Sequence, residues 1–298
     1  MKKIVIPRII GGIGNQLFSY AAARRLALVN NAELAIDHVS GFVRDHKYQR
    51  QYQLDHFNIP CRKATLWERM EPFSRYRRFL KKRWSKHLPF ENRSYIKQEF
   101  IDFDSRLLQV KPQGTVYLEG YWQSEKYFKD VEETIRSELQ IIPPNDPINQ
   151  EHAQKILNRR AVAVHVRFFD LPGKDGVNNV PNKYYKNAIE KMESILEDAH
   201  YYLFSDHPIA ARTAIPLSDE RITCVSHNKG DTNAYKDLWL MTKCQHFIIA
   251  NSTFSWWGAW LSNNVDKQVI APGFKIISKE KITSWNFKGL LPERWIMK

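Results

Sequence analysis

The sequence predicts an α/β protein with two Rossmann-like halves that face a cleft. Its 298 residues correspond to about two domains of ordinary size. In both halves, apolar stretches of strand length alternate with helical patterns, which is typical of parallel sheets joined by right-handed helical crossovers. Three prolines within residues 143–147 mark the best boundary, so the predicted domains span residues 1–145 and 146–298.

The first half opens with a strand, a Gly-rich turn and a helix, the start of a β-α-β unit. Its predicted elements are a strand at 3–10, a helix at 15–30, strands at 32–37 and 115–120, and a helix at 126–139. Between them, residues 41–113 are polar, aromatic and basic with weak periodicity. We therefore expect an irregular basic insertion in this half.

The second half alternates more regularly. Its predicted strands are 161–166, 201–204, 222–225, 246–250 and 268–271, and its predicted helices include 236–243 and 253–261. Asn182 is a suitable N-cap for another helix. The apolar face of that helix repeats every three or four residues, at Tyr185, Ile189, Met192 and Leu196.

Composition excludes several classes of protein. Apolar residues make up 43% and charged residues 26%, the balance of a folded rather than a disordered chain. The three cysteines are scattered, which excludes a disulfide scaffold and a cysteine-based zinc site. We expect neither a signal peptide nor a membrane span, and hence a cytoplasmic protein or one bound peripherally at a membrane surface. The net charge of +13 requires an anionic partner or a solvated basic face.

Ligands of open parallel sheets bind where the strands end, so polar residues at those points are the candidate site. They are Gly12, Gly14, Asn15 and Gln16 after the first strand; His165, Arg167 and Asp170 around the end of strand 161–166; Ser205 and Asp206 after strand 201–204; and Asn251, Ser252, Thr253 and Ser255 after strand 246–250. Glycines, hydroxyls, a fixed cation and helix N-termini are suited to an anionic ligand.

Each candidate also has a structural interpretation. The Gly-rich turn matches neither a P-loop nor the dinucleotide fingerprint, because Leu17 stands where a third glycine belongs. Arg167 suits a diphosphate, and its alternative role is an ion pair with Asp170. His165 is more commonly a hydrogen-bonded core residue, and Ser252 or Thr253 can cap a helix. Asp102 and Asp104 resemble a metal-binding pair, but a turn or helix cap is the favoured interpretation.

Five segments together resemble glycosyltransferase family 11, the α-1,2-fucosyltransferases, in order and over nearly the whole chain. They are GGIGNQLF at 11–18, EGYWQSEKYF at 119–128, HVRFFD at 165–170, FSD at 204–206 and DLWLMTKCQHFIIANSTFSWWGAWL at 237–261. The third is similar to the HxRRxD motif of fucosyltransferases, with Phe168 in place of the second Arg. That replacement implies that a diphosphate contact is lost or supplied elsewhere.

The resemblance implies a GT-B fold that binds GDP-L-fucose mainly in the C-terminal domain, without a cofactor or an obligatory metal. The sugar would be transferred with inversion to the 2-OH of a galactose in a glycan acceptor. By position, Arg167 would hold the β-phosphate, and Ser252, Thr253 and Ser255 would receive the diphosphate. His165 and Asp237 would lie near the guanine or ribose.

Inversion requires a group that takes the proton from the acceptor hydroxyl. Asp170 and Asp175 follow Arg167 in a loop and are the first candidates, with His38 and Glu119 in the N-terminal half as alternatives. Physical reasoning agrees on Arg167, since a cation beside the β-phosphate stabilises the charge that develops on the leaving group.

The basic segment at residues 75–87, RYRRFLKKRWSKH, has seven Lys or Arg residues. In an enzyme it could contact an acidic membrane that carries lipid-linked glycans, or it could be a solvated helix face. A non-catalytic module that binds acidic membrane or nucleic acid is the competing function, although no nucleic-acid-binding motif accompanies the segment. A transferase that uses another GDP-sugar or forms another linkage is the third possible function.

Overall fold

A computed structural model describes residues 2–46, 48–170, 172, 178–273, 275–277, 282–285 and 287–298. The chain forms two compact units, one of Met1–Gln140 with Lys288–Leu290, and one of Ile141–Phe287 with Leu291–Lys298. Each unit is built around its own parallel sheet with helices, which confirms the predicted fold class of two parallel-sheet α/β domains. In the described part of the chain, no helix is long and apolar enough to span a membrane.

The first unit has a five-stranded parallel sheet. Its elements are β1 Ile4–Pro7, α1 Ile13–Val29, β2 Glu33–Ile36, β3 Arg62–Lys63, α2 Ser74–Ser85, β4 Tyr95–Lys97, β5 Thr115–Glu119 and α3 Glu132–Glu138. The strand order is β3-β2-β1-β5-β4, and Ile4 of β1 pairs with Glu33 on one side and Thr115 on the other. Apolar residues of β1 and β2 are buried, so this sheet has its own core.

Two predictions for the first unit need correction. The predicted helix at 126–139 is a regular α-helix only over α3, preceded by 3-10 turns at Glu125–Tyr127 and Lys129–Val131. Burial of Tyr127 explains the interruption, because its ring packs 5.5 Å from that of Trp122, centroid to centroid. The segment at 41–113 is also more regular than predicted, because it contains β3, α2 and β4. The prediction missed β3 and β4 because they are too short for a periodic signal.

The second unit has a six-stranded parallel sheet. Its elements are α4 Pro147–Leu157, β6 Ala161–Val166, α5 Asn182–Glu193, β7 His200–Ser205, α6 Pro208–Ala214, β8 Ile222–Val225, α7 Ala234–Lys243, β9 His246–Ile248, α8 Thr253–Leu261, β10 Val269–Ala271, the antiparallel pair β11 Lys275–Ile277 and β12 Ile282–Ser284, and β13 Ile296–Met297. The order of the parallel sheet is β13-β10-β9-β6-β7-β8.

Strand β6 is buried along its whole length and lies at the middle of this sheet. The predicted face of α5 packs on it, with Tyr185, Ile189 and Met192 in the same core as Val162 and Val164. Asn182 is not the N-cap of α5: Pro181 occupies that position, and Asn182 is the first helical residue. The side chain of proline has no hydrogen-bonding group, so the helix begins without a capping side chain.

Candidate functional site

The second sheet has a topological switch point at the carboxyl ends of β6 and β9. The strands that follow β6 in sequence, β7 and β8, lie on one side of it, whereas β9 and β10 lie on the other. Ligands of open α/β sheets bind at such a point because the loops diverge there and leave a crevice. The loop that begins at Arg167 and the N-terminal end of α8 both start here.

A buried hydrogen bond joins these two elements. His165 is 6% exposed, and its Nδ1 lies 2.8 Å from Oγ of Ser255, which is itself buried in the first turn of α8. Burial lowers the pKa of His165 to about 3, with a smaller contribution from the nearby Arg167. The imidazole is therefore neutral at ordinary pH, and the predicted core hydrogen bond of His165 is confirmed.

Arg167 is oriented by an acidic residue at the end of the neighbouring strand. Its Nη1 lies 3.0 Å from Oδ2 of Asp206, and both side chains are about three-quarters buried. The other oxygen of Asp206 accepts a hydrogen bond from Phe168 N at 3.2 Å, and Ser205 Oγ accepts one from His207 N at 3.1 Å. The alternative interpretation, an ion pair of Arg167 with Asp170, is wrong, because Asp206 is the partner.

Asp170 is hydrogen-bonded to Asn178, eight residues further along the chain. It accepts a hydrogen bond from Asn178 N at 3.1 Å and further ones from Asn178 Nδ2. Asn179 Oδ1 accepts a hydrogen bond from Phe169 N at 2.7 Å. Asp175 lies outside the described residues. The role of either aspartate as the catalytic base stays a prediction.

The start of α8 combines a capped helix end with an unpaired acceptor. Ser252 is the N-cap, and its Oγ accepts a hydrogen bond from Phe254 N at 3.3 Å, so the capping interpretation is confirmed for Ser252. Thr253 is the first helical residue. Asn251 is buried, and its Oδ1 has no hydrogen-bond partner among the described residues. A buried unpaired acceptor is costly, so this oxygen suits a donor from a ligand.

A hydrogen-bonded network surrounds Asp237 at the start of α7. Asn228 Nδ2 donates to Asp237 Oδ1 at 2.8 Å, Asn149 Nδ2 donates to Asn228 Oδ1 at 3.0 Å, and His227 Nε2 lies 3.0 Å from Asn149 Oδ1. Burial raises the pKa of Asp237 to about 7, although the bond from Asn228 acts in the opposite direction.

Sequence reasoning selected Asp237 and missed its partners. His227 and Asn228 come two and three residues after the end of β8 at Val225, so the carboxyl-end rule that selected the other candidates could have found them. Asn149 lies on α4, and no local signal marks it, because the contact joins residues that are 79 apart in the chain.

The Gly-rich turn of the first unit is closed by its own polar side chains. Gly11 has a φ of 77°, which favours glycine, and Gly12 is the N-cap of α1, with Gly14 inside the helix. Gln16 is buried, donates to Gly11 O at 2.9 Å and accepts from Gln53 N at 2.9 Å. Asn15 Oδ1 accepts from Gln123 Nε2 at 2.7 Å. Gln16 therefore holds the turn and the 51–53 segment together.

The carboxyl end of the first sheet carries a second polar cluster. Glu119 at the end of β5 accepts a hydrogen bond from the Tyr95 hydroxyl, and Arg8 Nη1 lies 3.7 Å from its Oε1. Asp37, just after β2, pairs with Arg78. The neighbouring His38 has a buried Nδ1 with no hydrogen-bond partner in the described ranges. Sequence reasoning selected only Glu119 and His38 here.

Asp102 and Asp104 have structural roles, as in the favoured interpretation of this pair. Asp104 is the N-cap of a 3-10 turn and forms an ion pair with Arg106 at 2.6 Å, and Asp102 accepts from Lys288 N at 2.8 Å. Within the described residues, no group of three or more His, Cys, Asp or Glu side chains could hold a metal ion.

Comparison with known proteins identifies relatives along the whole chain. The model of glycosyl transferase family 11 matches residues 8–287. An α-1,2-colitosyltransferase of Escherichia coli is 27% identical and covers 98% of each chain. The O-antigen biosynthesis glycosyltransferase WbnK of Escherichia coli is 30% identical over 92% of this chain and 97% of its own.

Solved structures show the same fold at low identity. The fucosyltransferase NodZ from Bradyrhizobium has a TM-score of 0.54 at 14% identity and covers 95% of this chain and 97% of its own. Arabidopsis thaliana FUT1 in complex with GDP has a TM-score of 0.56 at 12% identity, and the match covers 91% of this chain and 70% of the FUT1 chain. These likenesses confirm the predicted GT-B fold class.

Proposed function

This chain belongs to glycosyl transferase family 11 and is a glycosyltransferase, and from that premise we propose that it moves L-fucose from GDP-L-fucose to the 2-hydroxyl of a galactose in a glycan, forming an α-1,2 linkage. One observation carries the proposal. At the switch point of the second sheet, Arg167 is oriented by Asp206, and His165, two residues earlier, is bonded to Ser255 in the first turn of α8. A cation and the N–H groups of a helix start are suited to a diphosphate.

The chemistry asked of this site is departure of GDP from the anomeric carbon. As the sugar–phosphate bond breaks, negative charge grows on the β-phosphate, and Arg167 and the N–H groups at the start of α8 stabilise it. Asp206 holds the guanidinium before the reaction, so little reorganisation is needed. Since these groups supply the positive charge, the proposal requires no metal, and transfer is expected to persist in EDTA.

The nucleoside end of the donor is proposed to meet Asp237 and its network. Guanine presents an amide N–H and an amino group side by side, and a carboxylate oxygen is a suitable acceptor for both. Asn228 fixes the orientation of the Asp237 carboxyl through the 2.8 Å hydrogen bond. The structure of the network therefore supports selection of GDP over nucleotides whose base lacks these donors.

Transfer with inversion is completed by removal of the acceptor proton. Asp170, Asp175, Glu119 and His38 are the candidates, and Asn178 already engages Asp170. Each is replaced separately, in the variants Asp170→Asn, Asp175→Asn, Glu119→Gln and His38→Ala. The base is the residue whose variant binds GDP normally but loses transfer. Normal transfer by all four would contradict a side-chain base among them.

The proposal is tested by incubation with GDP-fucose and a panel of β-galactosides, followed by linkage analysis of the product. An α-1,2-linked fucose is the expected result. Donor hydrolysis alone, or a product linked at another hydroxyl, contradicts the proposal.

A second donor is favoured by one relative, the α-1,2-colitosyltransferase. Colitose is fucose without the 3-hydroxyl, so GDP-colitose presents the same diphosphate and guanine to the site. The same galactosides are assayed with both donors, and the ratio of kcat/KM values decides between the two sugars.

A further inference from the structure

Helix α2 turns three of its polar side chains toward the protein. Arg78 Nη2 lies 3.1 Å from Asp37 Oδ2, Lys81 Nζ lies 5.1 Å from the ring centroid of Tyr117, and Ser85 Oγ accepts a hydrogen bond from Tyr95 N at 3.0 Å. The three residues are spaced three and four positions apart and so share one face of the helix. Helices on the surface of globular proteins ordinarily place apolar side chains on the inner face.

The outer side of α2 is aromatic. Five aromatic side chains are between 58% and 77% exposed: Trp67, Phe73, Tyr76, Phe79 and Trp84. Together with the cations among them, they form what we call the aromatic–basic surface. Trp67 precedes the helix but belongs to this surface, because the Arg77 guanidinium lies 5.4 Å from its ring centroid. Concentrated exposure of large apolar groups marks an interaction site.

The same surface is strongly positive. Residues 73–88 contain seven Lys or Arg residues and no acidic residue. Arg75, Arg83 and Lys86 are exposed and form no ion pair with any residue that the structure describes. Their charges therefore act outward, beside the exposed rings. A partner of complementary chemistry has a negative surface above an apolar layer.

We propose that the aromatic–basic surface binds an anionic phospholipid bilayer, with its rings at the level of the headgroups and its cations on the lipid phosphates. Phe73, Arg75, Tyr76 and Phe79 line a surface hollow of about 520 Å³, large enough for part of a lipid headgroup.

Aliphatic groups at the edges of the surface distinguish lipid from nucleic acid. Leu66 and Leu88 are both exposed next to this surface. Aliphatic side chains gain free energy by entering an apolar layer, whereas they add little to base stacking. The inference goes beyond the proposed transfer reaction and does not depend on it.

Sedimentation with vesicles tests the proposal. The full chain is mixed with phosphatidylglycerol vesicles or with neutral phosphatidylcholine vesicles at low salt, and the bound fraction is measured. We expect binding to the anionic vesicles only, weakened by added salt. The charge variant Arg75→Gln/Arg83→Gln/Lys86→Gln is expected to bind about a hundredfold more weakly, since each cation contributes about fivefold.

Matched variants separate this surface from general charge and from misfolding. The variant Lys111→Gln/Lys129→Gln/Lys183→Gln removes three exposed cations elsewhere, and its binding to anionic vesicles is expected to weaken less than threefold. Tyr76→Ser/Phe79→Ser/Trp84→Ser is expected to lose binding while its thermal transition stays within a few degrees of wild type. The proposal is overturned if wild type does not sediment with anionic vesicles, if both cation variants weaken equally, or if an oligonucleotide binds this surface more tightly than the vesicles do.

Discussion

Replacing Asp237 by Asn separates the stability of this protein from its ability to bind a nucleotide. Burial raises the pKa of the Asp237 carboxyl from 3.8 to about 7. Because the folded pKa lies above the unfolded one, ionisation disfavours the folded state. The contribution of Asp237 to the stability of the wild type therefore falls as pH rises from about 4 to about 7, and does not change further above that range.

The size of the effect follows from the shift. About three pKa units at 1.36 kcal/mol each give about 4 kcal/mol as an upper limit. Asp237→Asn removes the titration, and the amide oxygen still accepts the hydrogen bond from Asn228. The variant should equal the wild type near pH 4 and exceed it by up to about 4 kcal/mol at pH 8. It should also bind GDP more weakly, because an amide accepts fewer hydrogen bonds than a carboxylate.

Urea titrations at several pH values between 4 and 8 give the free energy of unfolding of both proteins. Burial also lowers the pKa of His152 and of His227, and the difference between the two proteins removes their contribution. Asp266→Asn, at an exposed turn, is the control and should show no such divergence. A constant difference between wild type and Asp237→Asn across this range would refute the reasoning.

Three further variants test the site and the packing. Arg167→Ala should lower kcat about a hundredfold, and Arg167→Lys should restore only part of it because the planar fork is lost; an unchanged kcat in Arg167→Ala would remove its assigned role. Gly258→Ala should lower stability by about 1–3 kcal/mol, since a Cβ there would lie 2.2 Å from Met241 Sδ, and the loss should be smaller in a Met241→Ala background, as thermal unfolding of the four proteins can show. Glu138→Gln should lower the free energy of unfolding by about 3 kcal/mol or more, because the buried carboxylate accepts a hydrogen bond from the Tyr20 hydroxyl at 2.7 Å and pairs with Arg24 at 2.6 Å. A loss of stability no greater than that of the exposed control Glu133→Gln would contradict this.

Elements with a strong periodic signal were predictable from sequence. β6, β8 and α8 have the predicted bounds, since a mostly apolar strand and a helix that begins at a Ser cap are local patterns. β3 and β4 were not predictable, because strands of two and three residues exist only through pairing with β2 and β5. The interrupted helix before α3 follows from tertiary packing of Tyr127, which periodicity does not contain.

The candidate site was predictable in position and not in detail. Strand ends can be read from sequence, so Arg167 and Ser252 were selected without a structure, whereas Asp237 was selected only from the family resemblance. The partner of Arg167 was mistaken, because Asp170 is near in sequence whereas Asp206 is near in space, across the adjacent strands β6 and β7. Asn149 could not be found, because its partners come from another element of the same unit.

The sequence by itself determined the fold class, the family and the strand ends at which polar groups gather, because these depend on short-range patterns along the chain. The tertiary structure alone decided which charges pair, which carboxyl is buried enough to titrate near pH 7, and which face of α2 is exposed. The composition of residues 73–88 predicts a positive segment, but the orientation of its aromatic side chains depends on Arg78 and Ser85. Arg78 contacts Asp37, which is 41 residues away in the chain, and this is why folding decides the direction of that surface.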